Sequence, residues 1–222
     1  MTSKEQSSVS ADGERNLALL GLRQGPLALA SRSPRRRELL ERLEIPLVFI
    51  DVDVKEGDRR GSEPAEDYVQ RLAVRKLEAA LTVSARTSAY VVLAADTVVA
   101  IDGDILEKPV DRAHAVELLG RLNGRWHEVW TGLALERVGD GRRVLAAERS
   151  KVFFEIGSPD LIDHYVATEE PMDKAGGYGI QGWGGLFVPK IEGDYFNVMG
   201  LPLYRLRFLC QKLETFAKGE SE

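Results

Sequence analysis

Six consecutive apolar residues, Tyr90-Val-Val-Leu-Ala-Ala95, place the strongest constraint on the fold of this chain. A run without polar alternation is typical of a central strand that is covered on both faces of its sheet. Helical and strand patterns alternate before this run, whereas hairpin patterns dominate after it. This order favours helices on the faces of a sheet that has both parallel and antiparallel strands. We therefore expect an α/β fold with a mixed central sheet flanked by helices.

The segment Leu27–Leu40 begins as a short apolar strand and restarts as a helix, with Ser33 as the N-cap and Pro34 at the first helical position. Three arginines, Arg35 to Arg37, then fall in the first helical turn. Cations are unfavourable at the positive end of a helix. The segment therefore indicates a phosphate site built from backbone N–H groups, serine hydroxyls and guanidinium groups. A solvated basic helix start without a ligand is the alternative, and the P-loop spacing is absent.

Composition limits the class of ligand. At 222 residues the chain suits one large domain, and its net charge of −5 argues against a general nucleic-acid-binding protein. A local basic cluster in an acidic protein instead favours a small anionic substrate. The single cysteine, Cys210, excludes an internal disulfide and a cysteine-based zinc site. We find neither a secretory signal nor an apolar run long enough to span a membrane, and therefore expect a cytoplasmic protein without a membrane partner.

Two other segments carry structural expectations. Residues 1–24 resemble a poorly ordered extension, although Leu17–Leu22 has the pattern of a short helix that docks on the domain. Near the other end, Leu186–Ile191 and Tyr195–Met199 have the pattern of a hairpin around Glu192-Gly-Asp194. A terminal amphipathic helix is expected to follow Gly200-Leu-Pro202.

Asp96 is the most specific candidate for chemistry. An acid directly after a buried strand is expected at the mouth of that strand, where open α/β sheets bind ligands. A carboxylate there can bind Mg²⁺ or Mn²⁺ through oxygen, or take a proton from water. The alternative is an aspartate that caps a turn together with Thr97.

Further polar residues have weaker local signals. Glu56 and Glu107 are oxygen ligands or solvated loop acids, and Lys76 and Lys108 are cations suited to phosphate oxygens. For Lys76 the alternative is an ordinary exposed helix face. The glycine-rich segment that contains Gln181 permits close backbone approach, and an amide can read a nucleobase edge; a plain turn is the alternative. The three histidines share no metal-site spacing and are interpreted as structural.

Taken together, the motifs of this chain resemble the Maf family of nucleoside triphosphate pyrophosphatases. The resemblance covers about residues 27 to 210. Its motifs, in family order, are Leu29-Ala-Ser-Arg-Ser-Pro-Arg-Arg-Arg-Glu-Leu-Leu40, Arg71-Leu-Ala73 with Lys76, Ala95-Asp-Thr-Val-Val99, Leu106-Glu-Lys-Pro109, His127-x-Val129-x-Thr131-Gly132, Asp173–Gly182 and Gly200-Leu-Pro202.

The resemblance implies an elongated, two-lobed, inosine-triphosphatase-like fold with a cleft, formed by one catalytic domain over residues 25–217 and followed by a tail at 218–222. It also implies a homodimer and hydrolysis of a nucleoside triphosphate between its α and β phosphates, with a divalent cation, Mg²⁺ or Mn²⁺, as cofactor. The products are then the nucleoside monophosphate and pyrophosphate.

Site residues carry over by position. The resemblance implies that Asp96 is the catalytic acid/base and, with Glu56, a metal ligand. It implies that Lys76 and Lys108 are catalytic as well. Ser31 and Arg36 fall on the family's phosphate-binding loop and are expected to bind substrate.

Three residues, Arg35, Thr97 and Gln181, separate branches of the family and together resemble the branch that acts on dTTP and UTP. The sister branch, which acts on 7-methyl-GTP, typically has tryptophan, glutamine and glutamate there. Two alternatives therefore stand beside dTTP/UTP hydrolysis: the sister specificity, and a non-catalytic nucleotide-binding regulator of septum formation. Arg32, bulkier than the residue usual at its position, departs from the family pattern, as does the N-terminal extension.

Overall fold

The computed structural model describes residues 11–54, 59–84 and 87–215. The strands within these ranges form one mixed sheet. They are β1 (Leu27–Ala30), β2 (Leu47–Ile50), β3 (Val91–Ile101), β4 (Asp104–Leu106), β5 (Arg125–Arg137), β6 (Arg142–Phe154) and β7 (Lys190–Glu192). The strand order is β2-β1-β3-β5-β6-β7, and β4 pairs with β3 beside this path. β1 runs parallel to β2 and β3, and the remaining pairs are antiparallel.

Helices cover both faces of this sheet, which confirms the predicted fold class. Within the same ranges they are α1 (Ala11–Leu20), α2 (Pro34–Glu41), α3 (Ala65–Ser84), α4 (Arg112–Leu122), α5 (Pro159–Ala167), α6 (Tyr195–Met199) and α7 (Leu203–Thr215). Short 3₁₀ turns connect α5 to β7. None of these helices has the length and apolar content that crossing a bilayer requires.

The apolar run that opens β3 is buried on both faces, as its composition predicts. Val91 and Leu93 face a core built with α1, α2 and α7, whereas Val92 and Ala94 face a second core built with α3. All four side chains are inaccessible to solvent. The continuous apolar pattern therefore reflects one strand that serves two cores.

A close contact sets the position of α3 on the sheet. A Cβ atom on Gly132 of β5 would lie 2.3 Å from the backbone oxygen of Val69, so only glycine permits this approach of helix and strand. Gly132 is also the register partner of Asp96 on β3. The glycine thus brings α3 against the part of the sheet that carries Asp96.

The expectation that the central strand ends at Asp96 is wrong. β3 continues to Ile101, because β5 pairs with it through Asp96 and beyond. The parallel neighbour β1 does end here, at Ala30 opposite Ala94. Asp96 therefore lies just past the carboxyl end of β1 while remaining inside β3.

The expected hairpin of Leu186–Ile191 with Tyr195–Met199 is also wrong. The first segment contributes β7, which pairs with β6, but the second forms helix α6. Asp194 is the N-cap of this helix, and its side chain accepts hydrogen bonds from the backbone N–H groups of Phe196 and Asn197. A strong N-cap residue directly before the segment favours a helix over a strand.

The segment before β1 contains the docked helix that the sequence allows for. Helix α1 packs its buried Leu17 and Leu20 into the same core as α7, and Leu22 follows them. Within the stretch expected to be poorly ordered, residues 11–24 thus contribute to the apolar core. The division of the domain into two lobes stays a prediction.

Candidate active site

A cavity of about 380 Å³ lies beside the carboxyl end of β1 and is bounded by the β1–α2 turn, α3, β3 and the loop before β7. Its size falls in the range of small-molecule sites. Eight expected site residues line it: Ser31, Arg35, Arg36, Lys76, Asp96, Thr97, Lys108 and Gln181. Glu56, the ninth, lies outside the described residues.

Asp96 and Lys76 form an ion pair within this cavity. The Nζ atom of Lys76 on α3 contacts Oδ1 of Asp96 on β3. The two side chains are only 16% and 7% exposed, so Lys76 is not part of an ordinary exposed helix face. The pair combines a carboxylate that can accept a proton with a cation that can offset phosphate charge.

Arg36 directs its guanidinium into the protein. It is 7% exposed and donates to the backbone oxygens of Gly200 (2.7 Å) and Ala95 (2.9 Å). It also donates to the hydroxyl oxygens of Ser31 (3.2 Å) and Thr97 (2.8 Å). These bonds hold Ser31 and Thr97 at the cavity wall, which Arg36 also lines. Substrate binding by Arg36, which the resemblance implies, stays a prediction.

Thr97 belongs to a buried polar network behind the cavity. Its hydroxyl lies 2.9 Å from that of Thr131, which contacts the backbone oxygen of Asn197 on α6 at 3.2 Å. Thr131 and Asn197 are inaccessible to solvent. The network fixes the rotamer of Thr97, so the capping alternative for the Asp96-Thr97 pair does not apply.

The other arginines of the β1–α2 turn are balanced within the protein. Each pairs with an aspartate: Arg32 with Asp53, Arg35 with Asp173, and Arg37 with Asp51. The side chain of Ser33, at the N-cap position, makes no capping hydrogen bond. The positive charge of the turn therefore does not by itself require a bound polyanion, contrary to the argument from sequence.

Lys108 and Glu107 lie on the exposed rim of the cavity. Glu107 accepts a long hydrogen bond of 3.4 Å from the Tyr68 hydroxyl. In the part of the chain that the structure describes, the Lys108 ammonium has no ion-pair or hydrogen-bond partner. Since buried Pro109 follows it directly, the backbone at Lys108 is held while the side chain remains available to an anion.

His127 is a buried structural residue, as expected. Its Nε2 atom lies 2.8 Å from the Tyr178 hydroxyl, and the two rings meet edge to face. Burial lowers the pKa of His127 to about 4 and raises the pKa of Tyr178. Both side chains are therefore neutral near pH 7, and the pair supports the cavity wall that Tyr178 lines.

A comparison with family models matches residues 26–213 to the Maf-like protein family. The chain belongs to the Maf family. The match covers the whole cavity described above, which confirms the family that the motifs indicate. It leaves α1 outside, so this helix adds to the core of a domain that the family defines without it.

Several proteins that share the name dTTP/UTP pyrophosphatase are similar to this Maf protein over most of its length. A dTTP/UTP pyrophosphatase of Symbiobacterium thermophilum is 51% identical over 179 residues, which cover 81% of this chain and 89% of that protein. The dTTP/UTP pyrophosphatase of Pectobacterium atrosepticum is 50% identical, with coverages of 80% and 87%. That of Bacillus cytotoxicus is 45% identical, with coverages of 87% and 96%.

Two carboxylates line the cavity in which the resemblance implies a divalent cation. Residues 11–54, 59–84 and 87–215 contain no cluster of three or more His, Cys, Asp or Glu side chains able to hold a metal ion. They do provide the carboxylates of Asp96 and Glu107 in one cavity. Mg²⁺ is commonly bound by one or two carboxylates together with substrate phosphates. These residues fit a cation shared with a phosphate ligand.

Glu170 organises the loop that carries Gln181, although it is not among the site residues expected from the sequence. Its carboxylate accepts hydrogen bonds from the Tyr165 hydroxyl (2.8 Å) and the backbone N–H groups of Trp183 (2.8 Å) and Gly184 (3.0 Å). Gln181 itself is exposed and lines the cavity. No local pattern marks Glu170, because its partners come from a helix before it and a loop after it.

Proposed function

We propose that this Maf protein hydrolyses dTTP and UTP to the nucleoside monophosphate and pyrophosphate. The observation that carries the proposal is the Lys76–Asp96 ion pair inside a cavity whose rim presents Lys108. Relatives with about half of their residues identical bear the name dTTP/UTP pyrophosphatase, which supports the same substrates here.

Asp96 is the general base in this proposal. Its carboxylate takes a proton from a water molecule, and the water oxygen attacks the α-phosphorus of the nucleotide. The bond from the α-phosphorus to the bridging oxygen breaks, and pyrophosphate leaves with that oxygen. Lys76 holds the carboxylate at the reacting centre through their ion pair. A general base of this kind contributes about 10²- to 10⁴-fold to the rate.

The lysines offset charge on the triphosphate. Lys76 lies beside the reacting group, and Lys108 faces the β and γ phosphates from the rim. Asp96 and Glu56 would hold a divalent cation together with substrate oxygens, and the bound cation would neutralise further charge. Arg36 contributes indirectly, since it orients the Ser31 hydroxyl toward the phosphates.

Three residues set the preference for pyrimidine nucleotides in the proposal. Gln181 reads the base edge with its amide, because one amide donates and accepts hydrogen bonds. Thr97 and Arg35 shape the wall, and each is held by a partner: Thr97 by Arg36, and Arg35 by Asp173 at 2.8 Å. A pocket fixed in this way discriminates better than a mobile one.

Two further properties belong to the same proposal. The family resemblance supports a homodimer, which light scattering of the purified protein tests. It also supports a cytoplasmic location, which fractionation of cells tests.

A substrate panel tests the proposed function. The purified protein is incubated with dTTP, UTP, dCTP, dGTP and 7-methyl-GTP in the presence of Mn²⁺ or Mg²⁺, and pyrophosphate release is measured. We expect the highest kcat/KM for dTTP and UTP, and loss of release after chelation of the metal. Preference for 7-methyl-GTP would indicate the sister specificity. Nucleotide binding without pyrophosphate release would indicate the regulator.

A further inference from the structure

The glycine-rich loop before β7 is held by one carboxylate. Glu170 Oε1 accepts from the Tyr165 hydroxyl at 2.8 Å and from the backbone N–H of Gly184 at 3.0 Å. Its Oε2 accepts from the backbone N–H of Trp183 at 2.8 Å. Three donors from two segments thus converge on a single side chain, and Gln181 lies between these segments in the chain.

The loop contains glycines where its backbone passes close to the Glu170 carboxylate and the Tyr165 hydroxyl. A Cβ atom on Gly182 would lie 2.2 Å from Glu170 Oε2. A Cβ atom on Gly184 would lie 2.6 Å from the Tyr165 hydroxyl oxygen. The loop is therefore glycine-rich because it wraps closely around Glu170 and Tyr165, and a plain flexible turn would not require these contacts.

Tyr165 completes the arrangement from α5. It is 3% exposed, and its hydroxyl accepts from the backbone N–H of Gly179 at 3.1 Å while donating to Glu170. Burial is the largest effect on the pKa of Tyr165 and raises it, so the hydroxyl keeps its proton and remains a donor. The residues on both sides of Gln181, Gly179 and Trp183, are thus tied to the same Tyr165–Glu170 pair.

We propose that Glu170, with Tyr165, is the positioning residue for nucleotide selectivity: the pair fixes the loop that presents Gln181 to the base. This inference rests on the proposed function. Glu170 acts through Gln181 and does not touch the substrate. The consequence is that loss of the carboxylate affects selectivity more than turnover.

Glu170→Gln tests the inference, because one acceptor oxygen becomes an NH₂ group that meets N–H or O–H donors. We expect the ratio of kcat/KM for dTTP over dGTP to fall about tenfold, mostly through a higher KM for dTTP, while kcat falls less than about threefold. In a Gln181→Ala background the same substitution is expected to change the ratio less than about twofold, since its effect passes through Gln181.

A second readout does not depend on activity. Hydrogen exchange of the Trp183 or the Gly184 backbone amide is expected to speed up in Glu170→Gln, because the two N–H groups donate to different carboxylate oxygens and glutamine keeps only one of them. Glu169→Gln is the matched control: the neighbouring carboxylate is exposed and pairs with Arg112, so selectivity and exchange should stay as in the wild type. Tyr165→Phe, which removes one donor to Glu170, gives the same test if Glu170→Gln does not fold.

The outcomes separate the two proposals. Wild-type protein that releases no pyrophosphate from dTTP overturns the proposed function. Active wild type with an unchanged selectivity ratio in Glu170→Gln overturns only the role of Glu170. An equal fall of the selectivity ratio when Glu170→Gln is made in the wild type and in Gln181→Ala also overturns only the role of Glu170. The effect would then not pass through Gln181.

Discussion

The Lys76 ammonium contacts the Asp96 carboxylate across the interface of helix α3 with strand β3. The two residues lie on different elements, and the close approach of α3 to β5 at Gly132 brings those elements together. Both side chains are mostly shielded from water, where an unpaired charge would be costly. The pair therefore supplies a stable charged centre at the cavity, and the proposed chemistry depends on it.

Replacement of Asp96 by asparagine removes the proposed base with little change in shape. We expect kcat for dTTP to fall at least about 10²-fold, equivalent to about 2.7 kcal/mol of barrier, because an amide does not take a proton from water. Circular dichroism should show an intact fold. Asp53→Asn is the matched control: Asp53 is exposed and pairs with Arg32, so activity should change little. Near-normal turnover by folded Asp96→Asn protein would remove Asp96 from its role.

Two glycine substitutions test the close packing of α3 on strand β5. Gly132→Ala places a Cβ 2.3 Å from the Val69 backbone oxygen, so we expect the free energy of unfolding to fall by about 1–3 kcal/mol, with reduced activity as α3 shifts. Gly120→Ala has open space around its Cβ in helix α4, and we expect a gain of up to about 1 kcal/mol. Urea unfolding measures both. Equal stabilities for the two variants would contradict the packing described.

Gln181→Glu tests the proposed role of Gln181 in reading the base. The substitution replaces an amide donor by a charge, so a base edge loses a partner, and we expect kcat/KM for dTTP and UTP to fall about tenfold or more relative to 7-methyl-GTP. Gln24→Glu makes the same chemical change at an exposed position outside the cavity lining, and its selectivity should equal that of the wild type. An unaltered preference in Gln181→Glu would assign base reading to other residues.

The burial of His127 predicts that the folded protein becomes less stable in acid. Burial lowers its pKa from 6.5 to about 4, so between these pH values the unfolded chain binds a proton that folded His127 does not. The free energy of unfolding therefore falls as the pH drops from 6.5 to 4, by about 3 kcal/mol at most from this group.

Urea unfolding at pH 7 and pH 4.5 measures this effect. His127→Gln should lose less stability over that interval than the wild type, because it lacks the buried imidazole. The exposed His164→Gln is the control and should follow the wild type. Parallel losses for all three proteins would show that His127 does not cause the acid sensitivity.

Much of the fold follows from local sequence patterns. The apolar run that opens β3, the helix that begins at Pro34 and the terminal helix after Gly200-Leu-Pro202 all appear in the structure. Each depends on residues close together in the chain, whose side-chain pattern or turn chemistry acts locally. The order of the family motifs likewise predicts eight of the residues that line the cavity.

The remaining features depend on contacts between distant segments. Arg36 carries the expected charge, but its acceptors at Ala95 and Gly200 exist only after β3 and the α6–α7 turn have packed beside it. Glu170 likewise accepts a hydrogen bond from the backbone N–H of Trp183, which lies 13 residues further along the chain and comes close only in the folded loop. Local charge therefore indicates the segment that lines the cavity but not the internal acceptors of its buried arginine.

Product analysis tests the central claim most directly. Purified protein is incubated with dTTP and Mn²⁺, and the products are separated and quantified over time. The account predicts dTMP and pyrophosphate in equal amounts, with no accumulation of dTDP. Release of dTDP and phosphate, or no products above a protein-free control, would contradict it.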